Sequence, residues 1–250
     1  MAQIAAACTT IYMESQYFAS RKVAEAIARR LDETDGPEIV IINPHTAQGW
    51  LEPLAMDTAR ARLIEALRRR DKHDRLRMYL PVTARGDPIY VHAKITIIDD
   101  IQLRIGSANL NNRSMRLDSE CDVIVEAKGS AEVGIAIAAL RDDLLAEHLG
   151  VDPATVTDAI AEHGSLIAVI EQLRGDGRTL VPYQVPDLSA VEAWLADNEV
   201  HDPKGPDEMF EAFSARGLFR RLRKPKGLET RSYAARISAP SPNCKRASRS

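Results

Sequence analysis

Between residues 90 and 110 the chain sets a few polar groups at fixed spacing inside a β-branched, apolar run. The first stretch reads His92-Ala93-Lys94-Ile95-Thr96-Ile97-Ile98-Asp99, and Gly106-Ser107-Ala108-Asn109 follows. Along an extended strand, residues two apart share a face. His92 and Lys94 are therefore expected to project together, while Ala93, Ile95 and Ile97 pack behind them. Asp99-Asp100 reads as a turn between a strand over Tyr90 to Ile98 and one over Ile101 to Ile105. Six fixed positions at fixed spacing recur by chance far less often than a lone glycine-rich turn.

An imidazole and an ammonium presented by one strand suit a phosphate ester. Such an ester needs a nucleophile, a proton donor for the leaving oxygen and donors for the remaining oxygens. Histidine serves either of the first two roles, because its ordinary pKa lies near neutrality. Lys94 and Asn109 suit the third. Gly106 allows close approach to the phosphate, and Ser107 offers a short donor beside it. This chemistry calls for no metal and no cofactor.

The surrounding pattern alternates strand and helix. A strand and its exit occupy Thr9 to Phe18, and a helix capped by Ser20 runs to Leu31. Glu38 to Ile42 is a buried strand, a loop with His45 and Trp50 follows, and a helix covers Leu54 to Arg70. Arg75 to Leu80 and Glu120 to Glu126 are strands, and Ala131 to Leu149 is a helix. The predicted fold class is α/β, a mixed α+β sandwich in which a mixed sheet is flanked by helices. Arg60, Arg62, Arg68, Arg69 and Arg70 read as a solvated helix face and its end.

At 250 residues with 45% hydrophobic content the chain can bury a core, and its formal net charge is −3. That balance argues against a general nucleic-acid binder. The charge is unevenly spread, however. Residues 151–215 hold 13 Asp/Glu against 3 Lys/Arg, whereas residues 216–250 hold 11 Lys/Arg against 1 acid. The expected organisation is a catalytic unit over 1–150, an acidic helical extension over 151–215 and a basic, disordered tail over 216–250. Helices are expected to start near Asp152-Pro153 and Gly164-Ser165 and to cover Leu188 to Leu195 and Glu208 to Phe213. The three cysteines lie far apart and show no metal-ligand spacing. The amino-terminal residues make a poor signal peptide, and no apolar run is long enough to span a bilayer. A cytoplasmic location follows, with peripheral contact to anionic membranes through the basic tail.

The spaced residues from His92 to Asn109 resemble the HKD motif of the phospholipase D superfamily. In addition, Ile11-Tyr12-Met13-Glu14-Ser15-Gln16-Tyr17-Phe18 resembles a segment that opens the second half of two-motif phospholipases D, with Met13 and Ser15 as departures. The resemblance covers residues 9–149 and matches the carboxy-terminal half. It implies a phospholipase D-like half fold with a helical extension behind it. It also implies a phosphohistidine mechanism in which His92, Lys94, Asn109 and Glu120 are catalytic and Asp99 has a supporting role. Glu120 lies 28 positions after His92, the spacing of a family acid that orients an imidazole. Gln16 and Arg113 join Gly106 and Ser107 as substrate-binding residues.

No second HxK occurs: none of His45, His73, His148, His163 and His201 has lysine two positions later. Two-motif relatives build their site from two halves, one histidine from each. The resemblance therefore implies either a homodimer or a separate amino-terminal half as partner, and a phospholipid as substrate. Alternatives within the superfamily are a partner-dependent or inactive half, a nuclease and a cardiolipin synthase-like phosphatidyltransferase. Nucleic acid is the less favoured partner.

Overall fold

The computed structural model describes residues 1–46 and 52–187. Trp50, the expected helices beyond residue 188 and the basic tail lie outside the described residues. The elements in chain order are α1 (Ala2–Ala6), β1 (Thr10–Ser15), α2 (Arg21–Leu31), β2 (Glu38–Ile42), α3 (Glu52–Arg70), β3 (Leu76–Val82), β4 (Lys94–Ile98) and β5 (Gln102–Gly106). Then come α4 (Asn112–Arg116), β6 (Asp122–Glu126), α5 (Ala131–Leu149), α6 (Pro153–His163), α7 (Leu166–Leu173) and β7 (Thr179–Pro182).

The seven strands form one mixed sheet in the order β6-β5-β4-β1-β2-β3-β7. β1, β2 and β3 run parallel, and the other pairings are antiparallel. The central strands are apolar on both faces, which demands cover on both sides. Ile11, Met13, Ile39, Ile41, Met78 and Leu80 meet α2 and α3 through Val23, Ile27, Leu31, Ile64 and Leu67. The alternate residues Tyr12, Val40, Ile42, Tyr79, Ile95 and Ile97 meet α5, α6 and α7 through Leu145, Leu149, Val156, Val169 and Ile170. The two-residue period of the strands thus sorts the chain into two cores. Tyr12 and Phe18 are core residues, almost fully buried.

Residues 153–182 pack into this same body. β7 is the outer strand beside β3, and Leu180 lies in the core. α6 and α7 start where the sequence expects them, capped by Asp152 and Ser165. Their acids lie on outward faces while Val156, Leu166 and Val169 point inward. Thus net charge marked the surface of this stretch, and its apolar spacing marked its attachment.

Arg60 departs from the solvated face expected of it. It is buried, donates to the carbonyls of Pro44 and His45 at 2.7 Å each, and lies over the Tyr183 ring. It ties the loop after β2 to α3. Arg69 and Arg70 are exposed and ion-paired.

The turn from β4 to β5 holds the sheet at its centre. Asp99 and Asp100 both take left-handed backbone angles, with φ of 52° and 55°, and Ile101 N–H donates to Ile98 carbonyl at 3.0 Å. A two-residue hairpin loop requires these angles, and aspartate tolerates them better than most residues. The Asp99 carboxylate then receives the start of β1. Oδ1 accepts from Thr9 N–H (2.7 Å), Thr9 hydroxyl (2.8 Å) and Thr10 N–H (2.9 Å), and Oδ2 accepts from Cys8 N–H at 2.6 Å. Asp99 is thus a fold-holding residue. Asp99→Ala removes all four bonds and is expected to cost about 3 kcal/mol in urea unfolding. Asp99→Asn, which keeps an oxygen at the Oδ1 position, is expected to cost about half as much.

Candidate active site

The site lies at one end of the sheet, where β1 ends, β4 begins and β5 ends. Ser15 is the register partner of Lys94, so the residue after Ser15 emerges beside the lysine. The segment after β5 is drawn to the same place by backbone bonds. Ala19 and Ser20 N–H groups both donate to Leu110 carbonyl, at 2.8 and 2.9 Å. Leu110 N–H in turn reaches Ser15 Oγ at 3.4 Å. Gln16, Lys94 and Asn109, far apart in the chain, therefore converge.

β4 starts at Lys94, not at Tyr90 as the sequence pattern suggests. His92 lies just before the strand and is exposed, whereas Lys94 is buried. The pair therefore does not project as two equal groups from one strand face. Ala93, Ile95 and Ile97 do pack behind, as expected. Lys94 Nζ turns back to donate to the carbonyl of His92 at 2.7 Å and to Gln16 Oε1 at 3.0 Å. Asn109 Nδ2 approaches the same Gln16 oxygen at 3.4 Å. An ammonium carries three hydrogens and an amide two, so Lys94 and Asn109 each keep a donor to offer. Asn109 Oδ1 is buried and has no hydrogen-bond partner among the described residues.

Glu120 does not hydrogen-bond His92. Its Oε2 accepts from Ser107 hydroxyl at 2.5 Å, and Ser107 Oγ accepts from Cys121 N–H at 2.9 Å. Ser107 N–H donates to Cys121 carbonyl at 3.1 Å. Both donors of Ser107, expected for the phosphate, are spent on the approach to β6. In this conformation Ser107 holds Glu120. The carboxylate faces Lys94 electrostatically: burial lowers the lysine pKa from its usual 10.5, and the negative charge of Glu120 partly opposes that shift.

Gly106 serves β6 in the same way. A Cβ there would lie 2.0 Å from Asp122 Oδ1 and 2.5 Å from Cys121 carbonyl oxygen. The close approach it permits is therefore to the neighbouring strand. Arg113 is exposed on α4 and pairs with Asp118 at 3.2 Å.

The residue that sequence reasoning missed is Tyr90. Its ring stacks on His92 with centroids 6.2 Å apart and planes 23° apart, and its hydroxyl meets Gln16 Nε2 at 2.6 Å. An aromatic two residues before the histidine was the available signal. Among the described residues no group of three or more His, Cys, Asp or Glu side chains is placed to hold a metal ion.

Residues 1–138 match the family model described as the phospholipase D-like domain of cardiolipin synthase. The chain belongs to the phospholipase D superfamily. A phospholipase D of Phytophthora infestans is 36% identical over 93 residues, covering 32% of this chain and 5% of that protein. The matched segment therefore spans a small part of that relative. Among solved structures, NucT from Helicobacter pylori aligns at 19% identity with a TM-score of 0.41, covering 58% of this chain and 83% of that one. Phosphatidylserine synthase from Haemophilus influenzae aligns at 18% with a TM-score of 0.46, covering 67% and 41%.

Two substitutions test the packing of this site. Lys94→Met removes a cation that burial disfavours, and is expected to raise the thermal midpoint at neutral pH. The sign follows from linkage. Over the range between the lowered lysine pKa and 10.5, the unfolded chain binds a proton that the folded chain does not. Wild-type stability therefore rises with pH there, and the advantage of the methionine variant shrinks in a pH series. Gly106→Ala, by contrast, forces β5 from β6 and is expected to cost about 2 kcal/mol in urea unfolding.

Proposed function

We propose that this chain is a phospholipase D-type phosphodiesterase that hydrolyses or transfers the phosphatidyl group of phospholipids through a phosphohistidine at His92. The observation that carries this reading is the convergence of Lys94 and Asn109 on one oxygen beside an exposed imidazole. Their remaining hydrogens suit the non-bridging oxygens of a phosphodiester. In the first step an imidazole nitrogen of His92 bonds to phosphorus, the ester bond to the leaving alcohol breaks, and that oxygen takes a proton from a second imidazolium. In the second step water or an alcohol attacks phosphorus, gives up its proton to that second imidazole, and frees His92.

The second imidazole comes from a second HKD motif, contributed by a dimer mate or a separately encoded half. Two features support this. The buried Asn109 Oδ1 lacks a donor within the described part of the chain. In addition, the sheet edge beside Glu120 is apolar and open: Ile105, Val123 and Ile124 are 44%, 56% and 52% exposed. Apolar groups gathered on an edge strand mark a surface for another chain. Phosphatidyl transfer to an alcohol, as in cardiolipin synthesis, is the second reading, favoured by the description of the matching family model. Among the described residues no helix is long and apolar enough to cross a membrane. A cytoplasmic enzyme touching the membrane at its surface suits either reaction.

The test is hydrolysis of a chromogenic phosphodiester by the purified chain with chelator present, with its mass in solution measured in parallel. The expected result is activity from a dimer that His92→Ala lowers by about 10^3-fold or more. Adding glycerol as acceptor separates transfer from hydrolysis. Activity equal to that of His92→Ala would mean that the chain does not complete the chemistry without a partner half.

A further inference from the structure

Tyr90 holds a hydrogen that nothing in the described structure uses. The Lys94 ammonium only donates. The Gln16 atom 3.0 Å from it must therefore be the carbonyl oxygen, and Asn109 Nδ2 on the same atom agrees. That fixes the orientation of the Gln16 amide, so its NH2 group faces Tyr17 OH at 3.0 Å and Tyr90 OH at 2.6 Å. An NH2 group donates, hence the Tyr90 oxygen accepts. A phenol has one hydrogen of its own besides, and no acceptor for the Tyr90 hydrogen lies among the described residues.

Three facts say where that hydrogen can go. The Tyr90 ring lies over the His92 ring, its oxygen rests on the residue that holds Lys94 and Asn109, and the residue is half-exposed. A chain from ammonium through amide to phenol also polarises the last O–H and strengthens it as a donor. We propose that Tyr90 donates its phenolic hydrogen to a non-bridging oxygen of the phosphodiester bound at His92, as a substrate-binding residue of the site. This rests on the reading of the site as a phosphodiester site. It makes the stack on His92 and the bond from Gln16 two parts of one device. The first places the phenol beside the reacting nitrogen, and the second reserves its hydrogen for the substrate.

Tyr90→Phe removes the hydroxyl and keeps the ring that stacks on His92. Inorganic phosphate binding is measured by calorimetry for wild type, Tyr90→Phe and Lys94→Ala, with circular dichroism on each. Tyr90→Phe is expected to bind phosphate about tenfold more weakly than wild type, the loss of one bond to a charged acceptor. In wild type, phosphate is also expected to perturb the tyrosine ultraviolet difference spectrum, and this signal is absent in Tyr90→Phe. If Tyr90→Phe binds as tightly as wild type while Lys94→Ala binds weakly, Tyr90 makes no such contact and the site reading stands. A flat wild-type difference spectrum at saturating phosphate overturns the Tyr90 assignment without use of the variant. If wild type and Lys94→Ala do not differ, the phosphodiester reading fails and the role of Tyr90 fails with it.

Discussion

A lysine ammonium buried at the end of a central strand needs oxygen partners close by, and the site is organised around that demand. Lys94 opens β4, next to β1, and is 7% exposed. An unpaired charge in that position would be costly. Two oxygens answer it, the carbonyl of His92 and the amide oxygen of Gln16. The first folds the His92 segment back over the lysine. The second fixes the Gln16 amide, and through it the two tyrosine hydroxyls. The geometry of these polar groups is thus set by a need of the folded state.

Much of the frame was legible because the strands and helices have different periods. The alternation of Ile95, Ile97 and their neighbours placed β4 against a helix layer, and α2, β2 and α5 run as the pattern indicates. The two-aspartate turn was readable from the break between two apolar runs. What the pattern could not convey was depth. It put His92 and Lys94 on one strand face, yet the strand begins at Lys94 and leaves the histidine outside. Strand propensity describes a half-buried pleated surface; it does not say where pairing with a neighbour stops. Ser15↔Lys94 is the last pair between β1 and β4, so this ladder stops short of His92.

Side-chain partners were less legible than backbone. By type and position Ser107 suits a phosphate, but a hydroxyl takes the nearest strong acceptor, and that is the Glu120 carboxylate. Gly106 suggests room for a ligand, and the room is filled by β6. Arg60 resembles part of a solvated face because its neighbours are arginines. Only the tertiary structure brings two carbonyls and an aromatic ring to its guanidinium. Each case has the same physical cause. Residue type limits what a group can bond to, while the choice among partners is made by chain segments distant in sequence.

The same limit bears on completeness of the site. β6 is an edge strand with Val123 and Ile124 open to solvent, and it begins two residues after Glu120. An edge of that kind invites another chain unless it is blunted. Its acids blunt only its ends: Asp122 pairs with Arg104, and Glu126 is engaged by Gln102 and Lys128. If two copies paired antiparallel about Ile124, Asp122 of one would face Glu126 of the other, a like-charge contact at each end. Such pairing would also set the two His92 ends of the sheets pointing in opposite directions. Continuous β6-to-β6 pairing of two copies would therefore not bring two His92 side chains together, because the strand polarity that fixes its register also separates the two site ends.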